Sequence, residues 1–85
     1  MNYQDALIGM AVEYTEHALF RMRHRRISRA SIEETIEDPD FSFMIRAGRF
    51  AALKRYGDKF LKVIYERSND KIIVVTVYWT RKMGR

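Results

Sequence analysis

The hydrophobic and polar positions of the chain change their period near residue 40. Before that point, apolar residues recur at the spacing of amphipathic helices, and after it they alternate or run together as in strands. The pattern predicts one helix over about residues 16–26 and a second that begins after Ser28 and ends before Pro39. It then predicts four strands, over residues 43–47, 49–56, 59–66 and 71–79.

Local signals support both predicted helices. Thr15 and Ser28 each precede a helix, and a hydroxyl at that position can accept a hydrogen bond from an orphan N–H of the first turn. Tyr14 and Leu19 stand around Thr15 at the spacing of a hydrophobic staple. The residue before a proline is pushed out of the α region, so Pro39 marks the end of the second helix.

The predicted strands are separated by short turns. Gly48, Gly57-Asp58 and Ser68-Asn69-Asp70 are turn residues of the kind that connect antiparallel strands. The last strand is β-branched or aromatic almost throughout, so we expect it to be central and covered on both faces. The sequence therefore predicts an α+β fold, with two N-terminal helices packed on one face of a three- to four-stranded antiparallel sheet.

The two ends of the chain are less regular. Residues 1–13 form a variable segment that fits either a short helix or a strand leading into Tyr14, and we favour a short helix followed by one or two extended residues. Residues 80–85 read as a loose basic tail. A chain of 85 residues accommodates one small domain, 1–85. The sequence shows neither a signal peptide nor a membrane span. The absence of cysteine fits a cytoplasmic protein, and we expect that location.

The balance of charged residues indicates which kinds of partner the protein binds. Lysine and arginine number 16 against 11 acidic residues, giving a net charge of +5. This balance favours polyanionic or acidic partners. The absence of cysteine excludes disulfides and thiolate metal sites. His17 and His24 lack a carboxylate at a spacing that would complete a metal site, and no cofactor motif is present.

The first helix concentrates basic side chains on one face. At about 100° per residue, Arg21 and Arg25 fall within about 80° of His17, and His24 lies about 20° to its other side. Ala18 and other apolar residues occupy the remaining side, which can dock on a core. Arginine suits planar, bidentate contact with phosphate or carboxylate. A solvated basic face is the alternative.

These residue types suit metal-independent cleavage of RNA. Such cleavage needs a base for the 2′-hydroxyl proton and cations for the phosphate. His17, Arg21 and Arg25 are the candidate catalytic residues, with histidine serving as base or acid. Alternatively, His17 is structural and hydrogen-bonds to a strand carbonyl or a tyrosine. The candidate substrate-binding residues, predicted to face the same groove, are Arg55, Lys62, Tyr78 and His24.

Over about residues 12–80 the chain resembles a known family. It carries Tyr14-Thr15-x-His17-Ala18-x-x-Arg21-Met22-x-x-Arg25-x-Ile27-Ser28, then Ile36-x-x-Pro39-Asp40, then Leu61-Lys62-Val63-Ile64-Tyr65 and Ile73-Val74-Val75-Thr76-Val77-Tyr78. This pattern resembles the family called domain of unknown function 4258. That family is similar to the RelE and BrnT toxins, compact α+β ribonucleases neutralised by an antitoxin. One departure is Arg26, which stands where the family usually has glycine.

The resemblance implies a toxin-like RNA-binding protein, a metal-independent endoribonuclease paired with an acidic antitoxin-like protein. Two alternatives remain open at the level of sequence. In the first, the basic face binds a nucleic acid or an acidic protein without cleaving anything. In the second, the chain is an oligomeric structural protein, a homodimer paired through its fourth predicted strand or its aromatic residues.

Overall fold

The fold has two layers, a five-stranded sheet and two helices on one of its faces. The structure is a computed structural model and describes residues 10–81. The elements in chain order are β1 (Ala11–Tyr14), α1 (Glu16–Arg25), α2 (Arg29–Glu37), β2 (Phe41–Arg46), β3 (Arg49–Tyr56), β4 (Lys59–Ser68) and β5 (Lys71–Thr80).

The sheet is mixed, and its strand order is β1-β5-β4-β3-β2. Strands β2 to β5 form the predicted antiparallel meander. Strand β1 lies parallel to β5, with Val12 opposite Ile72 and Tyr14 opposite Val74. The prediction of a three- to four-stranded antiparallel sheet is therefore wrong. Its error is β1, a four-residue strand whose partner lies about sixty residues away in the chain.

The other differences between the predicted and the observed elements lie at the two ends of the chain. Residues 11–14 are a strand, where one or two extended residues were expected before Tyr14, and the short helix favoured ahead of them falls on residues 1–9, outside the described part of the chain. At the other end, β5 continues through Thr80. The remainder of the predicted basic tail, residues 82–85, also lies outside the described residues.

Strand β5 has hydrogen-bonded neighbours on both edges, β1 and β4. Strand β1 pairs with Lys71 to Val74 of β5, and the sequence alternative of a homodimer paired through β5 stays a prediction. Its helix-facing residues Ile72, Val74 and Val77 are buried, while Ile73 and Tyr78 on the other face stay partly exposed. The expectation of full cover on both faces is therefore met on one face only.

The helix boundaries follow the local signals in the sequence. The hydroxyl of Thr15 accepts a hydrogen bond from the Ala18 N–H at 3.0 Å, and that of Ser28 accepts one from the Ser31 N–H at 3.1 Å. Helix α1 ends at Arg25, and its C-cap residue Arg26 has a φ of 55°, in the left-handed region.

The core lies between the helices and the sheet. Helix α1 packs on β5 and β1, and α2 packs on β4 and β3. The buried cluster consists of Ala18, Ile27, Ile32, Leu61, Val63, Ile72, Val74 and Val77. Because Ala18 points into this core, the opposite face of α1 is turned to solvent.

Candidate functional site

The solvent face of α1 forms an open cavity of about 600 Å³, here called the α1 groove. It is lined by His17, Phe20, Arg21, His24 and Arg25. The three candidate catalytic residues and His24 are thus brought together. His17, Arg21 and Arg25 follow one another at four-residue intervals, which places them one above the other on the helix. We call these three residues the α1 row.

His17 is exposed to solvent rather than sealed in the core. Within residues 10–81, its imidazole has no hydrogen-bond or ion-pair partner. The alternative in which a strand carbonyl or a tyrosine holds His17 is therefore not what the structure shows. The ring is open to a ligand that approaches the α1 groove.

Two of the three acids of α2 accept hydrogen bonds from tyrosines. Glu33 accepts a hydrogen bond from the Tyr14 hydroxyl at 3.3 Å, and Glu34 accepts one from the Tyr56 hydroxyl at 2.7 Å. Burial, followed by the nearby Glu33 carboxylate, raises the pKa of Tyr14 to about 12. Burial and the hydrogen bond to Glu34 likewise raise the pKa of Tyr56.

The cations of α1 have no acidic partner in the described part of the chain. Arg21, Arg23 and Arg25 form no ion pair there, although the protein pairs other cations. Those pairs are Arg46 and Arg49 with Glu66, Lys54 with Asp38, Lys71 with Glu13, and Arg81 with Asp58. The α1 groove is therefore locally unneutralised, a property expected of a site for anions.

Phe20 is a member of the groove that the sequence reasoning missed. Its ring packs on the His24 imidazole, with 4.0 Å between centroids and a 31° angle between planes. It is 52% exposed despite its size. The available signal was its position four residues before His24, which puts the two rings side by side on the polar face of the helix.

A second cavity of about 420 Å³ adjoins the first, and we call it the Trp79 pocket. It is lined by Arg25, Lys59, Trp79, Thr80 and Arg81. Arg25 lines both cavities, so they meet at this residue. The Trp79 indole N–H donates to the Arg25 carbonyl at 3.4 Å, and the Lys59 ammonium lies 4.6 Å from the indole centroid.

Three of the predicted substrate-binding residues lie elsewhere. Lys62 and Tyr78 are cross-strand partners, and the Lys62 ammonium lies 5.7 Å from the Tyr78 ring. Their neighbours Leu61 and Trp79 pack toward the helices, and side chains alternate along a strand, so this pair faces away from the α1 groove. Arg55 is on that far face too, with its guanidinium 6.0 Å from the Phe60 ring.

Comparison with known proteins places this site within a family. A family model described as Domain of unknown function (DUF4258) matches residues 14–79. The chain belongs to this family. The DUF4258 match spans both helices and β2 to β4, and it reaches Trp79 in β5, so it contains the whole α1 groove. A search of curated proteins and a search of solved structures found no match.

Two further findings concern the described residues of this DUF4258 domain as a whole. No helix within residues 10–81 is long and apolar enough to cross a membrane. In the same residues, no three histidine, aspartate or glutamate side chains come together as a group that could hold a metal ion.

Proposed function

We propose that this DUF4258 protein binds RNA in the α1 groove and cleaves it as a metal-independent endoribonuclease of the RelE and BrnT type. The observation that carries the proposal is the α1 row: exposed His17, partly exposed Arg21 and exposed Arg25 line one cavity and have no acidic partner among the described residues. RNA is the polyanion that such a row can both hold and cut.

Binding rests on the two guanidiniums. Arginine forms paired hydrogen bonds to phosphate oxygens, and contacts of this kind supply most sequence-independent affinity for nucleic acid. Arg21 and Arg25 lie one helical turn apart on the same face, so one phosphate can contact both or two successive phosphates can contact one each. The cations Lys59 and Arg81 extend the same surface beyond Arg25.

Cleavage rests on His17. In the proposed step, its imidazole accepts the proton of a 2′-hydroxyl, and that oxygen attacks the adjacent phosphorus. The bond from phosphorus to the 5′ oxygen then breaks, and the leaving oxygen takes a proton from water, which leaves a cyclic phosphate and a free 5′-hydroxyl. Histidine suits this role because it titrates near neutral pH. Arg21 and Arg25 would stabilise the charge that accumulates on phosphorus oxygens in the transition state.

If the protein is a toxin of this type, a second protein should regulate its RNA cleavage. The α1 groove is positive and open, so an acidic antitoxin-like protein that covered it would neutralise Arg21 and Arg25 and exclude RNA at once. Cellular RNA is the substrate under this proposal, which implies action in the cytoplasm.

The test is a cleavage assay on single-stranded RNA with EDTA present. His17→Ala should lower the cleavage rate at least about 100-fold, since general-base catalysis contributes about 10²- to 10⁴-fold. RNA affinity and the melting temperature should change little, because the His17 side chain is exposed. Arg23→Ala is the matched control, an exposed cation of α1 outside the groove, and should cleave as the wild type does. Cleavage by His17→Ala at the wild-type rate would overturn the proposed mechanism.

A second candidate function is RNA binding without cleavage. It is favoured by the lack of an orienting partner for His17 within residues 10–81, because catalytic imidazoles are commonly oriented by a further hydrogen bond. If the wild-type protein binds RNA with strong salt dependence and leaves it intact, this candidate replaces the nuclease.

A further inference from the structure

We infer that the α1 groove and the Trp79 pocket together form a binding site for single-stranded RNA, in which bases stack on aromatic rings on both sides of Arg25. The inference rests on the proposed RNA binding and specifies its substrate class. It adds Phe20, Lys59 and Trp79 to the residues that contact RNA.

The arrangement alternates rings and cations. Phe20 lies in the α1 groove and Trp79 in the adjoining pocket, while Arg25 lines both. A phosphate held by Arg25 would therefore have an aromatic ring on either side for the bases next to it. Single-stranded nucleic acids are bound in this way, by a positive groove that follows the backbone and by rings that stack on the bases.

Both rings are held in place before RNA arrives. The Trp79 indole donates to the Arg25 carbonyl at 3.4 Å and meets the Tyr56 ring edge to face, with 6.0 Å between centroids. The Phe20 ring packs on His24 at 4.0 Å. A fixed ring loses little conformational entropy when a base stacks on it, so each can contribute to affinity.

Lys59 occupies one face of the indole in the free protein, 4.6 Å from its centroid. A cation–π contact at an exposed site is worth about 0.5–1 kcal/mol. A base stacked on an aromatic ring is worth about 1–3 kcal/mol. The base should therefore displace the ammonium, which can turn to a phosphate instead.

Double-stranded RNA cannot use these rings. Its bases are stacked on each other, and its deep, narrow major groove does not admit side chains. A duplex would offer the site its phosphates alone. The arrangement therefore predicts preference for single strands over duplexes of the same sequence.

The experiment uses the single tryptophan of the chain as its probe. Intrinsic fluorescence of the full-length protein is titrated with a short 2′-O-methyl RNA, which lacks the attacking hydroxyl and stays intact. The same strand annealed to its complement and an abasic strand of equal length are titrated in parallel. We expect the single strand to quench Trp79 and to bind at least about ten times more tightly than the other two, a difference of about 1.4 kcal/mol.

A pair of substitutions locates the effect. Phe20→Leu should weaken binding of the single strand by about 5-fold or more while leaving the abasic strand unchanged. Phe41→Leu is the matched control, because Phe41 is a similarly exposed phenylalanine on β2 at 44%. Equal, salt-dependent affinity for all three nucleic acids would overturn the stacking inference and leave the proposed RNA binding intact. No affinity for any of them would overturn both.

Discussion

The Thr15 hydroxyl donates a hydrogen bond to the Val75 carbonyl of β5, at 2.7 Å. The same oxygen accepts the Ala18 N–H at 3.0 Å, so one side chain caps α1 and ties its first turn to the sheet. The register of β4 and β5 shifts at this point, and Val75 is the residue left without a partner on β4. This contact sets where α1 begins, and His17 lies two residues further on.

Replacement of Thr15 tests that relationship. Thr15→Val removes the cap and the hydrogen bond to Val75 together, and we expect it to lower the free energy of unfolding by about 1–3 kcal/mol. Thr15→Ser keeps a hydroxyl at the same place and should retain most of the stability. Denaturant unfolding measures both variants. Equal stability of Thr15→Val and the wild type would show that this hydroxyl does not secure the helix.

Arg26 adopts a backbone conformation that suits glycine. Its φ is 55°, and an L-residue in the left-handed region costs about 1–2 kcal/mol, whereas glycine adopts it readily. Because glycine also adds freedom to the unfolded chain, we expect Arg26→Gly to raise the free energy of unfolding by about 0.5–1 kcal/mol.

The control for that variant is Arg23→Gly, inside the same helix, which should instead destabilise the protein by about 1 kcal/mol. Thermal melting distinguishes the two variants, because their melting temperatures should shift in opposite directions from that of the wild type. A lower melting temperature for Arg26→Gly than for the wild type would mean that the arginine side chain makes a contact worth more than the strain.

Tyr14 links stability to alkaline pH. Its pKa is raised from 10.0 to about 12 in the folded protein, so the folded state holds the hydroxyl proton more tightly than the unfolded chain does. The stability this proton provides is complete below pH 10 and is lost as the pH rises toward 12. Tyr14→Phe lacks the titrating hydroxyl and its bond to Glu33. We expect the variant to be less stable at pH 8 and the difference to shrink by pH 11.5. Parallel loss of stability in both proteins would contradict the assignment.

Two threonines on the described part of the chain, Thr76 and Thr35, should respond oppositely to replacement by valine. The Thr76 hydroxyl oxygen is buried and finds no hydrogen-bond partner within residues 10–81, so Thr76→Val should be neutral or stabilise the fold by up to about 1–2 kcal/mol. Thr35 is fully buried and donates to the Ser31 carbonyl at 2.8 Å. Thr35→Val should therefore destabilise the protein by about 1 kcal/mol. Urea unfolding measures the free energy of unfolding of both variants. Destabilisation by Thr76→Val would contradict the prediction that its hydroxyl is buried without a hydrogen bond.

The sequence predicted the elements that local signals determine. The caps at Thr15 and Ser28, the stop before Pro39 and the glycine turns of the meander all depend on neighbouring residues. Strand β1 depends on a parallel partner about sixty residues away, and a four-residue segment carries too little periodicity to reveal that pairing. It also lies almost wholly before residue 14, where the family match begins.

The candidate site likewise has residues that the sequence could place and residues that it could not. The α1 row could be predicted because the position of a residue on a helix follows from its number alone. Lys62 and Tyr78 were assigned to the wrong face because β4 is apolar on both sides, with Phe60 buried on one face and Leu61 on the other. Alternation then shows which strand residues share a face but not which face the helices cover.

The salt dependence of RNA affinity tests the central claim, that the α1 groove binds the phosphate backbone. The affinity of single-stranded 2′-O-methyl RNA is measured over a range of salt concentrations for the wild type, Arg21→Ala, Arg25→Ala and Arg23→Ala. We expect each groove variant to reduce the slope of log affinity against log salt by about 0.7, the value for one lost phosphate contact on a single strand. Arg23→Ala, outside the groove, should keep the wild-type slope. Equal losses in all three variants would show that RNA senses only the net charge of the helix, and would contradict the account.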